Sequence, residues 1–189
     1  MWRYFRWYAC LLLLVGCRGA PQQASDPPAV NVRLASWDDA QKLIASHRGK
    51  VVVLDAWSTW CSPCVAEFPG LVKLHETYPG QVACISLNCN YTGAADEPPD
   101  AERAAIEAFL VKQRAEFDNL ISTEPDHKLY EALDAAAIPV VRVYDRTGQL
   151  RRQFDNDDNQ YGDEGFSYDQ HIIPLVEQLL RESLSGSVK

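Results

Sequence analysis

An α/β domain, with a central mixed β-sheet flanked by helices, is the fold class this sequence predicts. Three observations carry the prediction. Val51-Val52-Val53-Leu54-Asp55-Ala56 and Gln81–Leu87 are near-continuous apolar runs, as expected of strands covered on both faces. Stretches with helical apolar spacing alternate with them. Near the C-terminus, Asp145-Arg146-Thr147-Gly148 separates two strand-like segments and marks an antiparallel hairpin, which makes the sheet mixed.

The elements follow in order. Asn31–Leu34 reads as a strand. Ser36-Trp37-Asp38-Asp39 then starts a helix, with a capping serine and acids in its first turn, and the helix ends near His47-Arg48-Gly49. A buried strand covers 51–56, and a helix runs from the cysteine pair at 61 and 64 to about Tyr78. A second buried strand covers 81–87, and Asn88–Pro99 is loop. Asp100–Arg114 is an amphipathic helix built on Ala104, Ile106, Phe109 and Leu110. Phe117–Ile121 is a further strand, and Pro125 opens a helix to Leu133. Val140–Tyr144 and Gln149–Phe154 form the hairpin. A single helix, Ser167–Leu184, closes the domain through Ile172, Ile173, Val176, Leu179 and Leu180. No internal repeat is visible.

The first residues place the chain. Arg3 and Arg6 precede a short apolar run, Trp7–Val15, which is too short to span a bilayer and reads as a signal peptide over residues 1–16. Leu14-Val15-Gly16-Cys17 resembles the lipobox of bacterial lipoproteins, which implies cleavage before Cys17 and acylation of that residue; simple secretion is the alternative. Residues 17–30, rich in Pro, Ala and Gln, form a tether, and 31–189 form the domain. Without the signal the chain keeps 16 basic residues against 26 acidic ones, a formal charge of −10. Nucleic acid is therefore excluded as a partner, and membrane contact is expected through the lipid alone.

Setting Cys17 aside, the domain holds Cys61, Cys64, Cys84 and Cys89 in a compartment where disulfides persist. Cys61 and Cys64 stand two residues apart, after a buried strand and at a helix start. Free N–H groups there favour a thiolate at Cys61, while Cys64 lies one turn further in. Pro63 fits the first turn, where its missing N–H costs nothing. This makes Cys61 the attacking and Cys64 the resolving thiol. A zinc site would need a second such pair or paired histidines, and His47, His75, His127 and His171 are scattered. An inert structural disulfide is the other reading. Cys84 is read as a buried thiol within the strand and Cys89 as lying just past it, with a strained disulfide between them as the alternative. Asp155–Phe166 has alternating acids, but Gln160 and Phe166 occupy the places where a calcium loop needs Gly and Glu.

The stretch VVVLDAWSTWCSPC resembles the active-site strand and loop of the thioredoxin superfamily. The pattern WCxPCxxExP, met by Trp60, Cys61, Pro63, Cys64, Glu67 and Pro69, is most similar to its membrane-tethered TlpA/ResA-like branch. AAIPVVRVYDRTG is similar to the family's cis-proline region. The resemblance runs from about Asn31 to Leu184. It implies a thioredoxin fold with an extra helix and strand before the cis-proline strand, and an extracytoplasmic thiol–disulfide oxidoreductase without cofactor. It also implies a protein disulfide or thiol as substrate and an upstream electron donor; members of the branch are mostly reductants. Asp55, six residues before Cys61, matches the place of the family's buried acid and is expected to take or give the proton of Cys64. Glu67 matches the helix acid of the branch and competes with Asp55 for that role. Trp60, Ile138 and Pro139 are expected to contact substrate, with the Ile138 backbone open to a pairing strand. The rival readings are a peroxide-reducing enzyme, a non-catalytic thioredoxin-fold binding module and a copper- or zinc-handling protein; copper chaperones of this fold use a wider cysteine spacing and a partner histidine, neither of which occurs here.

Overall fold

A computed structural model describes residues 30–157 and 159–185. Six strands form one sheet in the order β1-β4-β3-β2-β5-β6. In chain order they are β1 (Val32–Ala35), β2 (Val51–Trp57), β3 (Val82–Asn88), β4 (Asp118–Ser122), β5 (Val140–Tyr144) and β6 (Leu150–Phe154). The helices are α1 (Trp37–Ser46), α2 (Ser62–Thr77), α3 (Arg103–Gln113), α4 (Asp126–Leu133) and α5 (Ile173–Ser185). β1 to β4 run parallel, and β5 joins antiparallel to β2 before turning back into β6. This is the thioredoxin-like architecture, with α3 and β4 added so that β4 lies between β1 and β3. The signal peptide, Cys17 and the tether up to Ala29 lie outside the described residues.

The central strands β2 and β3 are buried along their whole length, which is why neither alternates with polar residues. Side chains still alternate across the sheet. Val51, Val53 and Trp57 face α2 and α5, whereas Val52, Leu54 and Ala56 face α1 and α4. Asp55 falls on the first face, two residues from Trp57. Trp57 packs on Phe68 and Phe109 at ring distances of 4.9 and 4.7 Å. Each such pair contributes on the order of 1 kcal/mol beyond its buried area, and together they fix α2 and α3 over the strand that precedes the cysteines. The capping box at Ser36 is present, its hydroxyl accepting from the Asp39 N–H and the Asp39 carboxylate from the Ser36 N–H.

Three elements depart from the sequence prediction. α3 begins at Arg103, because 100–102 form an irregular turn in which Arg103 pairs with Asp100. Pro125 stands before α4 in the capping position, not inside the first turn. The closing segment is not one α-helix: Tyr168–Ile172 is a π-helical turn that passes into α5. Pro174 has no N–H for the Gln170 carbonyl and its ring crowds it, so the chain widens there. That widened turn carries a residue central to the site.

Candidate active site

The cysteine pair sits where β2 hands over to α2. Cys61 is the N-cap of α2, and its sulfur accepts from the backbone N–H of Cys64 at 3.3 Å. Pro63 occupies the first turn. Cys61 and Cys64 are joined in a disulfide, so the structure shows the oxidised form. The Ile138–Pro139 peptide is cis, and the Ile138 carbonyl lies 3.8 Å from the Cys61 sulfur. Trp60, 54 % exposed, forms the rim beside it, while Trp57 is wholly buried. Of the residues expected to meet substrate, Ile138 thus places its carbonyl against the Cys61 sulfur.

The loop between strand and helix is held from β3. The Cys89 N–H donates to the Trp57 carbonyl at 2.8 Å. Asn90 accepts from the Thr59 N–H at 3.0 Å and donates to the Thr59 hydroxyl at 2.7 Å, to Glu102 at the start of α3, and receives the Asn88 amide at 2.9 Å. One buried amide therefore holds Thr59 of an otherwise irregular turn through both its N–H and its hydroxyl. From the sequence Asn88–Pro99 reads as loop, and the Asn-Cys-Asn run is the only local trace of these bonds.

Asp55 is buried at 3 % exposure on the same sheet face as the cysteine pair. Burial pushes its carboxyl up to about 7, the Glu67 charge adds to the rise, and a hydrogen bond from Tyr168 opposes it. The Tyr168 hydroxyl donates to Asp55 Oδ2 at 2.6 Å. Glu67 is half-buried, and its carboxylate accepts the Tyr168 backbone N–H at 2.8 Å. The two acids named from sequence are thus both present, but joined through a third residue that sequence reading placed only in a helix. Tyr168 approaches α2 so closely that a Cβ on Gly70 would lie 2.2 Å from the tyrosine Cβ. Between α2 and this segment lies a cleft of about 460 Å³, lined by Glu67, Lys73, Ser167 and Asp169 among others.

Cys84 and Cys89 are free and buried. Cys84 belongs to the face of the cysteine pair and Cys89 to the opposite one, so a disulfide between them is ruled out by the pleat. Burial pushes both thiols far up, with the Asp55 charge adding to it. Among the described residues no group of three or more His, Cys, Asp and Glu side chains is arranged to hold a metal ion.

A redox-active cysteine pair capping a helix beside a cis-proline, on this sheet, defines a thioredoxin-fold thiol–disulfide oxidoreductase. Residues 26–173 match the model of the AhpC/TSA family, and the chain belongs to that family. It is 29 % identical over 130 residues to the thioredoxin-like protein YneN of Bacillus subtilis, covering 69 % of each chain. It is 30 % identical over 93 residues to a thioredoxin of Coprinus comatus, covering 49 % of this chain and 85 % of that one. With the thiol–disulfide oxidoreductase ResA of Geobacillus kaustophilus it shares 26 % over 110 residues, 58 % of this chain and 56 % of that one. Among solved structures, the thioredoxin-like superfamily protein SPOA0173 superposes with a TM-score of 0.55 at 22 % identity, over 72 % of this chain and 84 % of that one. A secreted Mycobacterium tuberculosis disulfide oxidoreductase gives 0.53 at 24 %, over 71 % and 86 %. These two superpositions speak for the fold.

Proposed function

We propose that this chain works outside the cytoplasmic membrane, anchored through acylated Cys17, as a reductant of protein disulfides. The observation that carries the exchange chemistry is the Cys61 sulfur, which lies at the N-cap of α2 against the Cys64 N–H and next to the Ile138 carbonyl. Helix N–H groups stabilise a thiolate there, and the Ile138 backbone offers an edge to an extended client segment.

In the reduced protein, the Cys61 thiolate attacks one sulfur of the client disulfide. The client's S–S bond breaks, its other sulfur leaves as a thiolate that takes a proton from water, and a Cys61–client disulfide forms. Cys64 then gives its proton to the Asp55 carboxylate and attacks the Cys61 sulfur. The mixed disulfide breaks, the client leaves as its second thiolate, and the Cys61–Cys64 disulfide remains. Two electrons pass from the cysteine pair to the client, and an upstream dithiol donor must restore them. A carboxyl titrating near 7 suits a proton acceptor at neutral pH. The likeness of the WCxPCxxExP pattern to the TlpA/ResA-like branch supports the reducing direction, and the name of the ResA relative supports the reaction class. The lipobox-like Leu14–Cys17 supports the anchor and location.

The test is reduction of insulin disulfides driven by dithiothreitol. Acceleration over the dithiol alone, lost in Cys61→Ser, is expected, together with a trapped client adduct in Cys64→Ser. Absence of both returns the chain to a non-catalytic binding module. Cys17→Ala should lose a fatty-acid label and leave the membrane fraction; unchanged partitioning removes the anchor.

A further inference from the structure

The exchange steps make no use of Tyr168, yet this residue is buried and spends both its hydroxyl and its N–H on the two acids of the site. The hydroxyl donates to Asp55 at 2.6 Å and the N–H to Glu67 at 2.8 Å. The segment that carries it is fastened along one face of α2 at intervals of three residues: Glu67 takes the N–H, Gly70 admits the ring, and Lys73 pairs with Asp169 at 2.8 Å. A tyrosine fixed at both ends beside a buried carboxylate has a direction of action that can be derived.

We propose that Tyr168 is a positioning residue for the resolving step: its hydroxyl holds Asp55 oriented and ionisable as the acceptor of the Cys64 proton, and Glu67 anchors the Tyr168 backbone and is not a second base. This rests on the reading of Asp55 as the base.

The groups that face Asp55 come from three elements. The π-helical turn contributes Tyr168, α2 contributes Glu67, and β3 contributes Cys84, whose thiol lies 3.6 Å from the Leu71 carbonyl. Cys89, on the far face of the sheet, is pushed up by burial and by the Asp55 charge. Tyr168 is pushed well above its usual range by burial and by the Asp55 charge, and Cys84 is pushed up likewise, so both remain protonated. Two opposite influences are left. The phenol stabilises the carboxylate, and the Glu67 charge destabilises it.

The variants Tyr168→Phe and Glu67→Gln separate them, because the first removes only a donor and the second keeps an acceptor while removing a charge. Two readouts are taken on the full chain: the Asp55 carboxyl titration by 13C NMR, and the pH dependence of mixed-disulfide resolution in single-turnover exchange. Tyr168→Phe should move both midpoints up by about one pH unit, slowing resolution at pH 7 roughly fivefold and restoring it in alkali. Glu67→Gln should move both midpoints down, so that resolution below pH 7 becomes faster than in the parent. First attack by Cys61 should not change in either. An Asp55 midpoint unmoved in Tyr168→Phe, or a Glu67→Gln loss as large as that of Asp55→Asn, overturns the inference. A full Asp55→Asn loss with an unmoved Tyr168→Phe midpoint overturns this inference alone. An Asp55→Asn variant with unchanged resolution overturns it together with the base assignment. Should Tyr168→Phe not fold, the downward shift in Glu67→Gln still decides: its absence overturns the inference.

Discussion

Cys61 and Cys64 are as well shielded as Cys84 and Cys89: they are 8, 2, 2 and 0 % exposed. Burial therefore does not separate the redox pair from the inert pair. The backbone around each sulfur does. Cys61 ends a loop at the start of α2, where its sulfur takes the Cys64 N–H at 3.3 Å besides lying 3.8 Å from the Ile138 carbonyl. Cys84 and Cys89 instead sit in or just after a strand, with their thiols against the carbonyls of Leu71 at 3.6 Å and of Leu87 at 3.4 Å. A carbonyl holds a thiol in its protonated form, and an N–H draws it toward thiolate. The sheet completes the division, because Cys61 and Cys64 share one helical turn while Cys84 and Cys89 point to opposite faces. Cys61 differs from Cys84 and Cys89 in standing at a helix start with a partner cysteine one turn away.

The sharpest way to break that comparison is exchange of the pairs' fates by mutation. Cys61→Ser should abolish disulfide exchange outright, whereas Cys84→Ala and Cys89→Ala should keep it within about twofold, near the limit of a small buried change. Exchange lost in Cys84→Ala would mean that a strand thiol takes part.

Asp55→Asn comes next. It keeps shape and removes the base, so resolution by Cys64 should slow by about 10²–10⁴-fold while the first attack changes little; rapid-quench kinetics of the mixed disulfide reads both steps.

The same substitution carries a stability signature. The Asp55 carboxyl titrates at about 7 in the folded chain against an ordinary 3.8. A raised carboxyl favours the protonated form, so its contribution is fully present below pH 3.8 and is lost as pH rises through 7. Asp55→Asn should therefore gain stability over the parent between pH 4 and pH 7, on the order of 4 kcal/mol at the plateau. Denaturant midpoints at pH 4 and pH 8 measure it, and equal differences at the two values would deny that the acid is buried as a neutral group.

A smaller effect is expected at Asn90, which holds the loop that separates reactive from inert sulfur. Asn90→Ala leaves the Thr59 N–H without its partner and should cost about 1–3 kcal/mol, with exchange slowed less than in Asp55→Asn. Thermal unfolding and the insulin assay, run side by side, check that order.

Sequence by itself determined a great deal here, wherever the responsible groups are neighbours in the chain. The buried strands show as apolar runs, the capping box as Ser36 and Asp39, and the redox pair as two cysteines around Pro63 between strand and helix. Asp55, Glu67 and Ile138-Pro139 are named by their likeness to the pattern of a known family. Tertiary structure alone decided what joins them. Tyr168 meets an acid 113 positions away, and nothing in its local pattern distinguishes it from any aromatic on a helix face. Its hydroxyl reaches Asp55 because Gly70 lets two segments touch and because Pro174 widens the turn that carries it. The same holds for Asn90, 31 positions from Thr59. Local pattern encodes which backbone groups each residue satisfies in its own turn; a buried charge finds its partner only after the layers have packed, since the partner is selected by distance in space and by the cost of leaving a polar group unpaired.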